Sequence, residues 1–504
     1  MKRVYSIYIV LLVVGLSLTS CENWLDVQPA DTVTEEDLFK EGTGYRNALN
    51  GVYRDLSSTS LFGRELTWGV AEALAQSYGD SYNTGNSPFA SDLGHSDIIK
   101  YDYTTDQAKK LISSIWSKAY NVIANCNNII GRIEKEPDGK FKGGKLEREL
   151  ILGEALAARA FLHFEMLVYF APAPVTNPSG NWIPYYEKFP QIGAEYRTVE
   201  GILELVTRDL KRAQSLVGPF DTFVSDDENH RMWLHPDYRF SSSAKFPSIP
   251  QTTDGFYAYR GYRMNYLAIT AILARAYSYG GQYDLAAAEA QKVIDFSCSE
   301  MYKALSYTPE SKVKGNFKMS DDLIFALSDS QLLDHYKTFN SGKTKLTLNM
   351  DYYDPYYNIF DAESDYRGKL LLTEDADWDV IGLRYTAPKT SNEYTTIVAD
   401  ILPVVRLSEM HYILAEECAD RNSFGEATAM LDQVRVGRGC PSGLLDGAIR
   451  DKESFVEELL NETRREFLEE GLIFFYYKKM GKRPSASMTE EQLYFPLPDN
   501  ETVN

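Results

Sequence analysis

The sequence predicts a mostly α-helical fold: a scaffold of antiparallel helical hairpins carrying long, irregular, aromatic-rich insertions. Three observations lead there. The segment from Tyr266 to Phe296, YLAITAILARAYSYGGQYDLAAAEAQKVIDF, reads as two helices meeting at a glycine pair. Leu273, Ala274 and Tyr277 share one helix face, and Ala286, Ala290 and Val293 share another. Ala274 and Ala286 are small enough for the two helices to approach closely. Gly280 and Gly281 offer the positive φ that a tight connection needs. The pattern then recurs from His411 to Val434, with Leu414, Ala415 and Cys418 before the turn, and Leu431 between Ala427 and Val434 after it. Asn422 stands where Gly281 stood, and asparagine is the next residue to tolerate a left-handed turn. Lastly, residues 79–105, 219–257 and 299–400 lack helical periodicity yet carry Trp233, Trp378 and much of the tyrosine. Loops of that length in a compact protein are functional or disordered, and their aromatic content argues against disorder.

The paired spacings resemble the tetratricopeptide repeat, a helical hairpin of about 34 residues; two ordinary antiparallel helix pairs are the alternative. Two hairpins are too few for a free-standing solenoid, so further helices must cover them. The 504-residue chain reads as a signal segment, 1–20, and one domain, 21–504, with halves of 21–260 and 261–504. Hydrophobic residues at 44% and charged residues at 25% suit a large globular core. A net charge of −20 argues against binding nucleic acid through its phosphates.

The first twenty residues lie outside the fold. Lys2 and Arg3 make a positive start, and Val4 to Leu18 is an apolar run of signal-peptide length. Leu18-Thr19-Ser20-Cys21 resembles a bacterial lipobox, which makes Cys21 the lipidated residue of the mature N-terminus. The alternative is a plain secretory signal. Losing Lys2 and Arg3 takes the net charge from −20 to −22. No other apolar run could span a bilayer, so the mature protein is expected to be anchored to a membrane and not threaded through it. Cys126, Cys298, Cys418 and Cys440 are scattered, with no disulfide expected; Cys418, on an inward face, is expected to be a buried thiol.

Helices are expected near 34–39 with Thr34 as cap, near 44–56 and 66–78, and over 107–135, 146–170 and 198–217. Thr198 caps the last of these and Gly218-Pro219 is expected to close it. Ser454 with Glu457 is expected to form a capping box for the final long helix.

Across this framework a family resemblance appears. Trp-Leu-Asp-Val-x-Pro at 24–29 follows the lipobox cysteine, then Thr-Glu-Glu-Asp-Leu-Phe at 34–39 and Ala48-Leu49-Asn50-Gly51-Val52-Tyr53. Trp116-x3-Tyr120 with Ile123-Ala124-Asn125, Glu154-Ala155 with Arg159-Ala160-Phe161, and Asp209-Leu210 with Ala213 continue the order. Pro403-Val404-x-Arg406, Ala415-Glu416, Arg464-Arg465-Glu466 and Glu470-Gly471 complete it. The ordered set resembles the SusD/RagB family, surface lipoproteins of Bacteroidetes-type bacteria. The resemblance implies a nutrient-binding lipoprotein on the outer face of the outer membrane that captures oligosaccharides. It also implies a partner, a SusC-like TonB-dependent transporter, which the binder covers as a lid. After Glu470-Gly471 the family's arginine and aromatic-aspartate pair are replaced by Ile473 and Phe474-Phe475-Tyr476, which puts any polar contact there in doubt. A peptide-binding relative, a lipid-anchored helical glycoside hydrolase and a protein-binding scaffold stand as alternatives.

Sequence motifs for chemistry are sparse. No nucleophile elbow, phosphate loop or dinucleotide fingerprint is present, so the chain is read as a non-enzyme without a cofactor. Asp375-x-Asp377-x-Asp379 opens like a calcium loop, but Val380 and Thr386 stand where glycine and glutamate belong; an acidic turn is the plainer reading. His230 and His235 lie among acids without a third zinc ligand. Flat aromatics stack on the apolar faces of sugars, with Asp, Asn and Arg taking the hydroxyls. Trp68, Trp233 and Trp378, set among polar residues and turns, are expected to be exposed. The ligand site is therefore placed at Trp68, Asp80, Tyr82 and Asn83 of the early loop and Trp233, Tyr353 and Trp378 of the later ones.

Overall fold

The computed structural model describes residues 34–223, 234–236, 239–240, 254–298, 302–354, 359–360, 363–388, 398–499 and 501. Its long helices are α1 (Gly42–Leu56), α2 (Asp106–Ile133), α3 (Gly144–Phe170), α4 (Val199–Asp221), α5 (Tyr266–Tyr279), α6 (Tyr283–Ile294), α7 (Leu332–Phe339), α8 (Leu407–Asp420), α9 (Phe424–Gly437), α10 (Lys452–Glu466) and α11 (Leu472–Lys479). Strands are short: β1 (Ile183–Pro184), β2 (Tyr196–Arg197), β3 (Leu323–Ser328), β4 (Leu372–Glu374), β5 (Val380–Gly382) and β6 (Ile401–Arg406). The fold is mostly helical, as expected. Helices α2, α3, α4, α5 and α6 pack each on the next, α6 packs on α8, and α8, α9 and α10 continue the series. The two hairpins are therefore covered by neighbours on both sides, which is what a short repeat array requires.

Helix α3 is the rod of this assembly. Every residue from Leu150 to Phe170 is buried, so its alanine-rich sequence serves contacts on all faces. A β-carbon at Gly153 would lie 2.6 Å from Val217 Cγ1, so α3 and α4 meet at a distance only glycine permits. The hairpin turns match in detail. Gly281 has φ 72° and Asn422 φ 61°, and Gln282 N–H donates to the Tyr277 carbonyl (2.9 Å) as Ser423 N–H does to that of Cys418 (2.8 Å). Gly280 is ordinary, at φ −78°. Cys418 is a buried free thiol, as are Cys126 and Cys440. No helix among the described residues is long and apolar enough to cross a membrane.

The structure departs from the sequence reading at several points, and the helix expected near 66–78 is only Val70–Leu74. Helix α4 runs through Pro219 to Asp221, because the last turn is pinned by tertiary contacts: Phe220 is buried, and Arg260 donates to both Asp221 oxygens (2.9 and 2.8 Å). Proline near a helix end loses only one backbone donor, and these contacts outweigh that loss. The capping box of α10 pairs Asp451, not Glu457, with Ser454. Asp451 Oδ1 accepts the Ser454 N–H (2.8 Å), and Ser454 Oγ accepts the Asp451 N–H (3.1 Å). The irregular stretches also hold more order than their patterns suggest. β3 pairs antiparallel with β6, Leu323 opposite Arg406 and Ser328 opposite Ile401, while α7 and the β4–β5 hairpin occupy what read as loop.

A chain of buried charges closes the C-terminal half. Arg438 contacts Asp322 and Glu466; Arg367 contacts Asp365 (2.7 Å), Glu462 (3.2 Å) and Glu466 (3.0 Å); Arg406 contacts Asp322 (2.9 Å) and Glu470. Burial pushes the Glu466 carboxyl up, but the guanidiniums of Arg438, Arg367 and Arg406 hold it well below the usual range.

His163 on α3 gives a pH signature. Its Nδ1 donates to the Arg159 carbonyl (2.9 Å), and Nε2 accepts the Tyr186 N–H (3.0 Å), so the ring is held neutral. Burial, then the nearby Arg159 charge, pushes its pKa down to about 3 from 6.5. A group depressed in the fold favours folding less as pH falls between its two values, because the unfolded chain takes the proton first. Stability is expected to fall from pH 6.5 toward 3, with His163 contributing up to about 1.4 kcal/mol per pH unit within that window. Denaturant titrations at several pH values should show a shallower fall for His163→Gln; identical slopes would remove His163 from the account.

Candidate functional site

The early and late loops form one surface. Gly79 N–H donates to the Thr347 carbonyl (3.1 Å), Thr347 Oγ1 donates to the Gly79 carbonyl (2.6 Å), and Leu348 N–H donates to the Val380 carbonyl (2.8 Å). Segments 77–82, 345–349 and 378–382 are thereby stitched side by side. At their edge Asp379, with its side chain 1% exposed, accepts from Ser81 Oγ and from the Tyr82 N–H, both at 2.8 Å. Burial pushes the Asp379 carboxyl up, but Lys345, Ser81 and the Tyr82 amide hold it below its ordinary value. The Tyr82 backbone is thus fixed to the residue next to Trp378.

Both rings point outward. Tyr82 is 72% and Trp378 66% exposed. Trp378 sits in the turn between β4 and β5 with φ 64°, a left-handed conformation that strains a bulky residue. The turn imposes it: Trp378 N–H donates to the Asp375 carbonyl (3.2 Å), and Asp375 Oδ1 accepts the N–H groups of Asp377 (2.9 Å) and Asp379 (3.1 Å). A large apolar ring held strained in water marks a contact surface more readily than a packing one. Asp80 and Asn83 are exposed beside it.

The three aspartates that opened like a calcium loop converge on a side chain. Lys345 Nζ lies 2.7 Å from Asp375, 2.9 Å from Asp377 and 2.7 Å from Asp379. An ammonium stands among three carboxylates whose oxygens lie within 4.8 Å of one another. Lys345 had no signal in the sequence, because its partners lie about thirty residues away and its own neighbours are unremarkable.

Two of the chosen rings belong to the core, contrary to expectation. Trp68 is fully buried, edge-on to Tyr336 (5.0 Å) and Phe339 (5.5 Å) of α7, with Tyr78 Oη donating to its carbonyl (2.9 Å). Its polar sequence neighbours turn elsewhere: Glu65 pairs with His95 (2.7 Å), and Thr67 Oγ1 donates to the Phe62 carbonyl (2.8 Å). Tyr353 is also fully buried, its hydroxyl donating to the Arg464 carbonyl (3.3 Å). Cys21, Trp233 and His230 lie outside the described residues. His235 is buried against the Tyr302 ring (4.8 Å).

Sequence reasoning did not find a cleft of about 790 Å³ walled by the end of α1, residues 255–263, the end of β3, His335 of α7 and Asp400. Its residues come from five separated stretches, and no single stretch carries a recognisable motif.

A helical scaffold with rings displayed on stitched loops is an architecture suited to presenting an aromatic surface. Comparison narrows it. A SusD-like family model described as starch-binding, associating with outer membrane, matches residues 46–246. The SusD-like protein P38 of Formosa agariphila is 21% identical, the match covering 98% of this chain and 96% of that one. A SusD superfamily protein of Bacteroides thetaiotaomicron superposes with a TM-score of 0.66 at 20% identity, covering 92% of this chain and 97% of that one. A SusD-like carbohydrate binding protein of Bacteroides vulgatus gives 0.62 at 17% identity, covering 88% and 84%. The chain is similar in sequence to SusD-like proteins and shares the fold of the SusD superfamily structures.

Proposed function

We propose that the protein captures oligosaccharides at the bacterial surface and passes them to a SusC-like TonB-dependent transporter without changing them. The observation that carries this reading is the pair of exposed rings, Tyr82 and Trp378, on segments joined by the Tyr82 amide and the Asp379 carboxylate. Flat rings offer stacking faces, and Asp80 and Asn83 offer hydroxyl partners at the rim. The starch-binding character of the matching family and the similarity to a carbohydrate binding protein of Bacteroides vulgatus support a carbohydrate over other ligands. Lys2-Arg3, the apolar run and the lipobox ending at Cys21 support lipid anchoring, and the ordered family motifs support the transporter as partner.

Extracted from membranes in mild detergent, the protein is expected to carry acyl chains on Cys21 and to co-elute with a large barrel. Trp378→Ala is expected to weaken oligosaccharide binding by about 1–3 kcal/mol, roughly ten- to hundredfold, by analogy with bases stacked on aromatic side chains. Its melting temperature should change little, since Trp378 lies mostly in solvent. Calorimetry showing full affinity in Trp378→Ala would remove the loop edge bearing Tyr82 and Trp378, the ridge, from the ligand site. New reducing ends released by the purified protein would replace the binder with a hydrolase.

A further inference from the structure

The cleft beside α1 is separate from the ridge: none of Asp80, Tyr82, Asn83 or Trp378 lines it. Its volume of about 790 Å³ falls within the ordinary range of small-ligand sites. We infer that it is a second carbohydrate pocket that takes a short stretch of uncharged sugar units. This rests on the carbohydrate reading above and adds a site and a charge preference to it.

The walls differ in chemistry, and together they fit a neutral polyol. Tyr259 supplies an exposed ring at the rim, 36% accessible and held at φ 56°. Such a backbone is unfavourable for tyrosine, so the surrounding structure dictates where this ring stands. Tyr262 backs it, with ring centres 5.6 Å apart.

Two buried polar atoms on the lining have no hydrogen-bond partner among the described residues: Ser58 Oγ and Arg263 Nη2. Arg263 is only 8% exposed, and its guanidinium is fixed on its other nitrogens. Nε donates to Glu154 (2.8 Å), Nη1 donates to the Phe256 carbonyl (2.8 Å), and the Phe256 ring lies beneath it at 4.6 Å. Both atoms are covered in the unliganded protein, so a ligand hydroxyl would recover the cost of the missing hydrogen bond only as the side chain turns toward the cleft.

The lining also carries acceptors. Asp329 N–H donates to the Asp400 carbonyl (2.9 Å), which brings the two carboxyl-bearing residues together. Asp329 is oriented by His335 Nδ1 at 2.9 Å. Burial, and after it the neighbouring Asp329, raises the Asp400 pKa above its ordinary value, so the lining already carries crowded negative charge. An anionic sugar lying against Asp329 and Asp400 would crowd a further negative charge at that end of the cleft, with Arg54 and Arg263 elsewhere on the lining. A hydroxyl, which donates and accepts at once, satisfies both kinds of group.

The test uses the full-length folded protein and two probes. A panel of uncharged hexasaccharides (α-glucan, β-glucan, xylan and mannan) finds a binder, and its disaccharide fragment counts sites by calorimetry. Wild type is expected to bind two disaccharides, and Trp378→Ala to bind one. Tyr259→Ala and Asp400→Asn, each made in the wild-type protein, should weaken the cleft site about tenfold or more while leaving the affinity of the Trp378 site unchanged. Tyr259→Phe, which keeps the ring, should bind as wild type and shows that a loss in Tyr259→Ala is not misfolding. A single site abolished by Trp378→Ala and untouched by Tyr259→Ala and Asp400→Asn overturns the inference while leaving the ridge. Full binding in Trp378→Ala with loss in Tyr259→Ala would retire the ridge and keep the cleft. Tighter binding of hexagalacturonate than of any neutral probe at the cleft overturns the charge preference. Failure of folded wild type to bind any of these probes overturns both readings.

Discussion

Replacing Arg438 with methionine is expected to cost about 3–5 kcal/mol of folding stability, the range for breaking a buried ion pair from one side. Arg438 is fully buried, as are its partners Asp322 and Glu466. Its Nε donates to Glu466 (3.0 Å) and its Nη1 to the Tyr366 hydroxyl (3.2 Å), so one guanidinium at the end of α9 joins α10, the turn before β3 and the short helix Tyr366–Leu370. Removing it leaves two carboxylates that Arg367 and Arg406 only partly compensate, in a place water does not reach. Arg421→Met is the contrast. Arg421 binds Glu417 and Glu426 at the surface, where solvent screens the pair, and little change is expected. Denaturant midpoints for the two variants decide the matter. A loss under about 1 kcal/mol for Arg438→Met would mean the network relaxes around the gap and is not a fixed constraint.

The hairpins were legible because their information is local. Face spacing and a turn residue of positive φ are both written within thirty residues, and Gly281 and Asn422 adopt the conformation their identities suggest. Likewise Thr198 caps α4 from a signal three residues long, accepting the Gly201 N–H at 3.1 Å. Strand β3 was not legible. Its run Leu-Ile-Phe-Ala-Leu-Ser is too short and too uniformly apolar to separate strand from buried helix, and its partner β6 lies about seventy residues on. Exposure of a single ring was the hardest property to read. Trp68 and Trp378 both sit among polar residues in the sequence, yet one is enclosed by α7 and the other projects from a two-stranded turn. What encloses Trp68 lies about 270 residues away, so no neighbourhood pattern could contain it. Lys345 illustrates the same limit from the other side. An ordinary lysine in sequence becomes the ammonium that three aspartates share.

Trp68→Ala is expected to cost about 3–5 kcal/mol of stability, the range for truncating a buried tryptophan to alanine. The indole fills space between Tyr336, Phe339 and Tyr385, and its carbonyl anchors the Tyr78 hydroxyl. Truncation opens a cavity lined by rigid rings, which cannot collapse inward without leaving their own contacts. Tyr336, for instance, is tied by its hydroxyl to Glu469 at 2.9 Å. Ligand affinity, measured where the variant is still folded, should stay at the wild-type value because the ring is fully buried. The pair of tryptophans therefore separates packing from recognition. Trp68→Ala should lose stability and keep affinity, and Trp378→Ala should lose affinity and keep stability. The decisive measurement is calorimetric affinity beside denaturant unfolding for both variants, at a temperature where Trp68→Ala remains native. If Trp68→Ala unfolds like wild type while losing its ligand, the ring is a binding surface that the ligand uncovers, and its packing role falls.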